Sequence, residues 1–112
     1  MRATSRTTDN GIEIIKLEGK IIAGSGGQQL LDVIGEAMNA GKLKLVLDMS
    51  GVTTIDSSGI GELVTSYTTF TSRGGKLKLL NLPAKLKELL QVTQLITVFE
   101  VYEDEAAALA SF

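Results

Sequence analysis

Four times along this chain a short apolar run with a two-residue beat gives way to apolar residues spaced three and four apart. Leu43, Leu45 and Leu47 alternate with Lys42, Lys44 and Val46, and the run closes at Asp48. Beyond it Ile60, Leu63, Val64, Tyr67 and Phe70 fall on one face of a helix. The same succession joins Lys20-Ile21-Ile22 to Leu30, Leu31, Ile34, Ala37 and Met38, and Lys76–Leu80 to Leu86, Leu89 and Leu90. A last strand at residues 97–102 leads into a helix at 106–109, behind Glu103-Asp104-Glu105. Strands that alternate with helices are joined by crossovers, so the later part of the sheet is parallel, with helices packed against it. The 43–48 run, apolar on both parities toward its end, is expected to be central and covered on both faces.

Before the first crossover the pattern differs. Residues 1–10 are polar, with Thr and Ser at alternate places, and suit a short edge strand or a frayed end. Asn10-Gly11 signals a two-residue hairpin. After it Ile12, Ile14 and Leu17 nearly alternate with Glu13, Lys16 and Glu18, the signature of a half-buried strand. Gly19 breaks that run, and Lys20-Ile21-Ile22 stands as a separate short strand. Gly24-Ser25-Gly26-Gly27 lacks the Lys-Ser/Thr of a nucleotide-binding loop and is a turn entering a helix. Asn39-Ala40-Gly41 and Arg73-Gly74-Gly75 stop the first two helices. Pro83 suits the first turn of the third, and the acids at 103–105 the positive end of the last. The expected order is β-β-β-α-β-α-β-α-β-α, an α/β fold with a mixed, largely parallel sheet in a single domain, residues 1–112.

Composition narrows the chemistry. At 112 residues, about 65% of the extended chain's surface is buried on folding, enough for one core. There is no Cys and no His, which removes disulfides, thiolate chemistry, the commonest general base and the commonest metal ligand. Net charge is −2 with both signs interspersed, so no clustered basic face marks a nucleic-acid binder; Arg2 and Arg6 belong to a solvated end. Residues 52–72 are nearly uncharged but hold Asp56, Glu62 and many hydroxyls, so they form no membrane span. The N-terminus shows no apolar signal region, and the expected location is the cytoplasm. No pair of acids among Asp32, Glu36, Asp48, Asp56 and Glu62 is marked as an acid/base couple. No metal or cofactor site is announced, and the protein is not expected to be an enzyme.

What remains is residues 48–58, read as a loop where a strand's carboxyl end meets a helix N-terminus, the place where α/β sheets gather function. Asp56-Ser57-Ser58 can cap the helix through side-chain oxygens that accept from free backbone N–H groups. One cap suffices, so three polar candidates in a row exceed that need. Gly59 and Gly61 sit in the first turn, where each costs roughly 1 kcal/mol against Ala but lets another backbone come close. Asp48 is expected to be a turn residue, Glu62 a solvated charge on an exposed helix face, Lys76 and Lys78 the solvent side of a strand, and Ile60 and Leu63 core.

At these residues the chain resembles the STAS family, whose name joins sulfate transporters with anti-sigma factor antagonists. The resemblance spans nearly the whole sequence. It rests on Leu17-Glu18-Gly19-Lys20-Ile21, Leu45-Val46-Leu47-Asp48-Met49-Ser50-Gly51-Val52, Ile55-Asp56-Ser57-Ser58-Gly59-Ile60-Gly61, Arg73-Gly74-Gly75-Lys76-Leu77 and Leu89-Leu90-Gln91-Val92-Thr93-Gln94-Leu95. It implies a free-standing anti-sigma factor antagonist that binds an anti-sigma factor/serine kinase, is switched off when that kinase phosphorylates one hydroxyl, and is reset by a serine phosphatase. By position the acceptor is Ser57, with Ser58 as the alternative. The partner-contacting set implied is Asp56, Ser57, Ser58, Gly59, Gly61 and Glu62 with Ala23 and Gly24. The chain departs from the family at Gly19-Lys20-Ile21-Ile22-Ala23, which lacks the acid that antagonists place after the early strand and has Lys20 in place of an acid. A non-catalytic subunit of a signalling scaffold or a lipid-transport complex is the other role that the resemblance leaves open.

Overall fold

The computed structural model describes all 112 residues. Strand β1 (Arg2–Thr7) leads to β2 (Glu13–Ile21), α1 (Gly27–Asn39), β3 (Lys44–Ile55) and α2 (Ser57–Ser72). Then come β4 (Lys76–Leu80), α3 (Ala84–Val92), a 3-10 turn at Leu95–Thr97, β5 (Glu100–Tyr102) and α4 (Glu105–Ala110). The strands lie in the order β1-β2-β3-β4-β5. Only β1 runs antiparallel to its neighbour; the other three pairings are parallel. The mixed, largely parallel sheet is therefore the one that the alternation of strands and helices predicts.

Both faces of the centre are covered, as the double-parity apolar run of β3 requires. On one face Ile15, Leu17, Leu45, Leu47, Met49 and Leu79 meet Leu30 and Ile34 of α1, Leu63 and Phe70 of α2, and Leu86 and Leu90 of α3. On the other Ile14, Val46 and Leu80 meet Ala108 of α4, with Tyr102, Leu109 and Phe112 at the margin. A fully buried Leu contributes about 1.5–3 kcal/mol, so the three-helix face dominates stability.

Five strands form instead of six. Gly19 does not break the early strand: it takes φ +104 and β2 continues to Ile21. Two register slips against β3, at Lys16/Glu18 and Gly19/Lys20, absorb the irregularity as bulges. The 48–58 loop also shrinks. Val52, Thr53, Thr54 and Ile55 are β-branched, and all but Thr53, which falls at a register slip, find pairing partners on β2, so β3 carries on to Ile55. Asp48 still turns its carboxylate onto the Ser50 N–H at 3.0 Å, but within the strand. Gly51 is needed there, since a Cβ would stand 2.8 Å from the Leu17 carbonyl oxygen.

Three further differences have local causes. The first hairpin closes over residues 8–12, with Thr8 N–H donating to the Ile12 carbonyl and Gly11 N–H to the Thr8 carbonyl, so Asn10-Gly11 is only part of a longer turn. Residues 95–97 coil into the 3-10 turn and leave β5 with Glu100–Tyr102 alone. Lys78 is the third. Its side chain is 3% exposed, and its Nζ donates to Glu100 Oε1 at 3.0 Å and to the Ser111 carbonyl at 3.3 Å. The outward parity of β4 faces α4 and the Phe112 ring rather than water, and the lysine's hydrocarbon stem packs there. Lys76 does face solvent.

Candidate functional site

The end of β3 and the start of α2 are joined by one residue, Asp56, in extended conformation (φ −114, ψ −174). Its two carboxylate oxygens have separate tasks. Oδ1 accepts from the Gly59 N–H at 2.9 Å and caps α2. Oδ2 accepts from the Ala23 N–H at 3.0 Å and so holds the turn that follows β2. The first of these bonds spans three residues and the second spans 33.

Because the Ala23 N–H first and the Gly59 N–H second favour the ionised form, the Asp56 carboxyl is held below its ordinary pKa. A group with a depressed folded-state pKa stabilises the fold fully above its unfolded pKa, near 3.9 for Asp. That contribution is lost as pH falls through the lower folded value. The melting temperature of wild type should therefore exceed that of Asp56→Asn at neutral pH. The gap should close at acid pH, below about 4. Thermal unfolding by circular dichroism from neutral to acid pH checks this, and a gap independent of pH would contradict it.

Ser57 and Ser58 are the first two helical residues of α2 and both are exposed. Their position follows from the cap: with Asp56 fixed by its carboxylate, the next two side chains project from the helix end. Ala23 and Gly24 are exposed too, and the Asp56–Ala23 bond ties their turn to the serines. The two glycines of the first turn part company. Gly61 is exposed with open space around it. Gly59 is buried, and a Cβ on it would stand 2.0 Å from the Ile21 carbonyl oxygen. Placed by sequence among partner-contacting residues, Gly59 instead lets α2 start against the end of β2. Ile60 and Leu63 lie in the core, as their spacing predicts.

Glu62 is corrected as well. It is half-buried rather than solvated, and its carboxylate packs on Gly27 at the start of α1, where a Cβ would come within 2.7 Å of Cδ. Oε2 is buried with no hydrogen-bond partner. Helix α1 has Gly26 as N-cap, no side-chain cap bond and no acid in its first turn. The carboxylate from the next helix supplies the negative charge that its positive end favours.

Two hollows flank this contact. One, of about 440 Å³, is formed by Ile22, the 24–29 segment and Glu62. The other, more open, lies between Leu31 and Gln28 of α1 and Ser58, Gly61 and Thr65 of α2. Gln28 and Glu62 line both, and in sequence Gln28 has the signature of an ordinary polar helix residue. The only signal for it was its place one residue beyond the glycine-rich turn. No three His, Cys, Asp or Glu side chains converge as a metal-ligand group. No helix is long and apolar enough to cross a membrane.

A STAS domain family model matches residues 4–108 of the chain. Among solved structures it is similar to an anti-sigma factor antagonist from Mycobacterium paratuberculosis, with 21% identity, a TM-score of 0.84, and 98% of this chain and 92% of that one covered. The Bacillus cell-fate determinant SpoIIAA in its phosphorylated form gives 18% identity and a TM-score of 0.73 over 98% of each chain. A sulfate transporter family protein from Wolinella succinogenes gives 23% and 0.78, over 95% of this chain and 88% of that one. At these identities the likeness is one of fold. No curated protein matches the chain by sequence.

Proposed function

We propose, for a chain that belongs to the STAS domain family, that it acts as an anti-sigma factor antagonist switched by phosphorylation of Ser57. In its unphosphorylated form it docks on an anti-sigma factor that is also a serine kinase, and the sigma factor is released. The kinase then transfers phosphate to Ser57 and docking ends; a serine phosphatase restores it. The protein is non-catalytic and works in the cytoplasm.

One observation carries this reading. Ser57 is exposed at the first position of α2, beside a carboxylate that is fixed at both oxygens. A phosphoserine adds about −1.5 to −2 charges at neutral pH. At a helix N-terminus the free N–H groups and the dipole accept that charge, so the fold tolerates it. The burden falls on the partner, which must desolvate a phosphate next to the Asp56 carboxylate. Similarity to SpoIIAA, which is known in a phosphorylated form, supports the same reading.

The partner's contact with the early turn differs from the family pattern. Lys20 is exposed at the end of β2, and Ala23 spends its N–H on Asp56 rather than offering an acid side chain. A kinase that docks here presents an acidic or neutral group to Lys20. A role as a non-catalytic STAS subunit of a transporter or scaffold is the second reading, supported by the similarity to the Wolinella protein.

Incubation with ATP and a candidate switch kinase, followed by peptide mass spectrometry, tests the first reading. Phosphate is expected on Ser57, is lost in Ser57→Ala and persists in Ser58→Ala. Phosphate on Ser58 alone would move the switch, and stable co-purification with a transporter subunit that ignores Ser57→Ala would favour the second reading.

A further inference from the structure

Strand β3 outlasts its neighbour. Its pairing with β4 ends at Asp48 and Leu80, because Asn81 (φ +57) turns the chain away toward Pro83 and α3. From residue 49 to Ile55 only β2 pairs with it, through Gly51, Val52, Thr54 and Ile55. In a strand, N–H and C=O groups point alternately to both sides, so the side of this segment turned from β2 is a strand edge without a partner strand. Helix α3 does not close on it. Between them lies a groove of about 440 Å³ with Thr53, Thr54 and half-buried Ile55 on one wall and Pro83, Leu89 and Val92 on the other, over a floor of buried Val52 and Leu86. Val92 is 74% exposed at its rim.

We propose that this groove docks an extended peptide segment of another protein, added as a strand along residues 52–55 of β3. The unpaired edge selects the occupant. A hydrocarbon or a lipid tail would fill the apolar wall while stripping water from backbone groups that it cannot bond, whereas a peptide main chain supplies the donors and acceptors at strand spacing. Four residues of edge span about 13 Å, enough for the alternate side chains of a short segment. Those that point toward α3 are apolar, to match Leu89 and Val92. Exposed Lys85 and Glu88 also line the groove, so flanking residues of either sign find an opposite charge. The edge ends at Ile55, one residue before Asp56 and two before Ser57, which places the end of the docked segment beside the switch. The docking itself does not depend on that switch and is tested without a kinase.

The probes are four end-blocked heptapeptides of alternating Val and Thr, carrying Lys or Glu at either end in each combination. They are titrated into the full chain while backbone amide shifts are followed. At least one should saturate with a dissociation constant of about 10⁻⁴ M, moving amides of residues 49–55 and of Ala84–Val92. N-methylation of its alternate amides should weaken it by at least about tenfold, as should Val92→Glu in the protein, whose melting temperature should hold because Val92 is exposed. The proposal is overturned if none of the four moves these amides or if the N-methylated peptide binds equally well. It is also overturned if decanoate occupies the groove as tightly as the best peptide.

Discussion

Gly59→Ala should destabilise the protein by about 3–4 kcal/mol or prevent it from folding, although Ala is the better helix former. An added Cβ would sit 2.0 Å from the Ile21 carbonyl oxygen and 2.8 Å from the Ile55 side chain. The first is backbone at the end of a central strand and cannot swing aside. The start of α2 would have to lift, and with it the bonds from Gly59 and Ala23 to Asp56. Overpacking of a core by one methyl typically costs about 1–3 kcal/mol; loss of the Asp56 bonds adds to it. Gly61→Ala is the control, because nothing lies within 4 Å of its Cβ position. It should gain about 0.5–1 kcal/mol from helix propensity. Urea unfolding followed by circular dichroism compares the two. A Gly59→Ala protein as stable as wild type would mean that α2 does not seat on β2 as described.

The second large effect is on binding. Ser57→Asp should stay folded, with a melting temperature within a few degrees of wild type, yet bind the anti-sigma factor proposed as its partner at least about 100-fold more weakly, or about 2.7 kcal/mol. A negative group at the first helical position is favoured by the helix, which is why the fold is unaffected. In the complex it must share a desolvated surface with Asp56, already ionised at neutral pH, and adjacent like charges are costly there. Ser57→Asn, of similar size and neutral, should bind within a few-fold of wild type, which separates charge from bulk. Calorimetric titration with the purified anti-sigma factor measures all three. Equal binding by a folded Ser57→Asp would remove the electrostatic basis of the switch.

Much of this site was legible without coordinates, and the reason lies in which interactions are local. Asp56 as a cap, Ser57 and Ser58 as surface hydroxyls, and Ile60 and Leu63 as core all follow from spacing within the first two turns of one helix. Gly59 and Gly61 look alike in sequence, since both are first-turn glycines. Only the strand packed beneath distinguishes them. Glu62 and Lys78 misled for the same reason: each occupies an outward parity on its own element, but a second element covers that side.

The alternation of strands and helices, the parallel sheet and the helix faces were fixed by the chain's own periodicity, because a repeat of two or of 3.6 residues is a property of neighbours in sequence. Strand lengths were not. Whether β2 runs through Gly19, and whether β3 reaches Ile55, depends on each finding the other alongside, two glycines absorbing the slips in register. The second oxygen of Asp56, the resting place of Glu62 and the open edge of β3 likewise came into being only with the fold. They join residues tens of positions apart, and no local preference encodes a contact whose other half is distant in the chain.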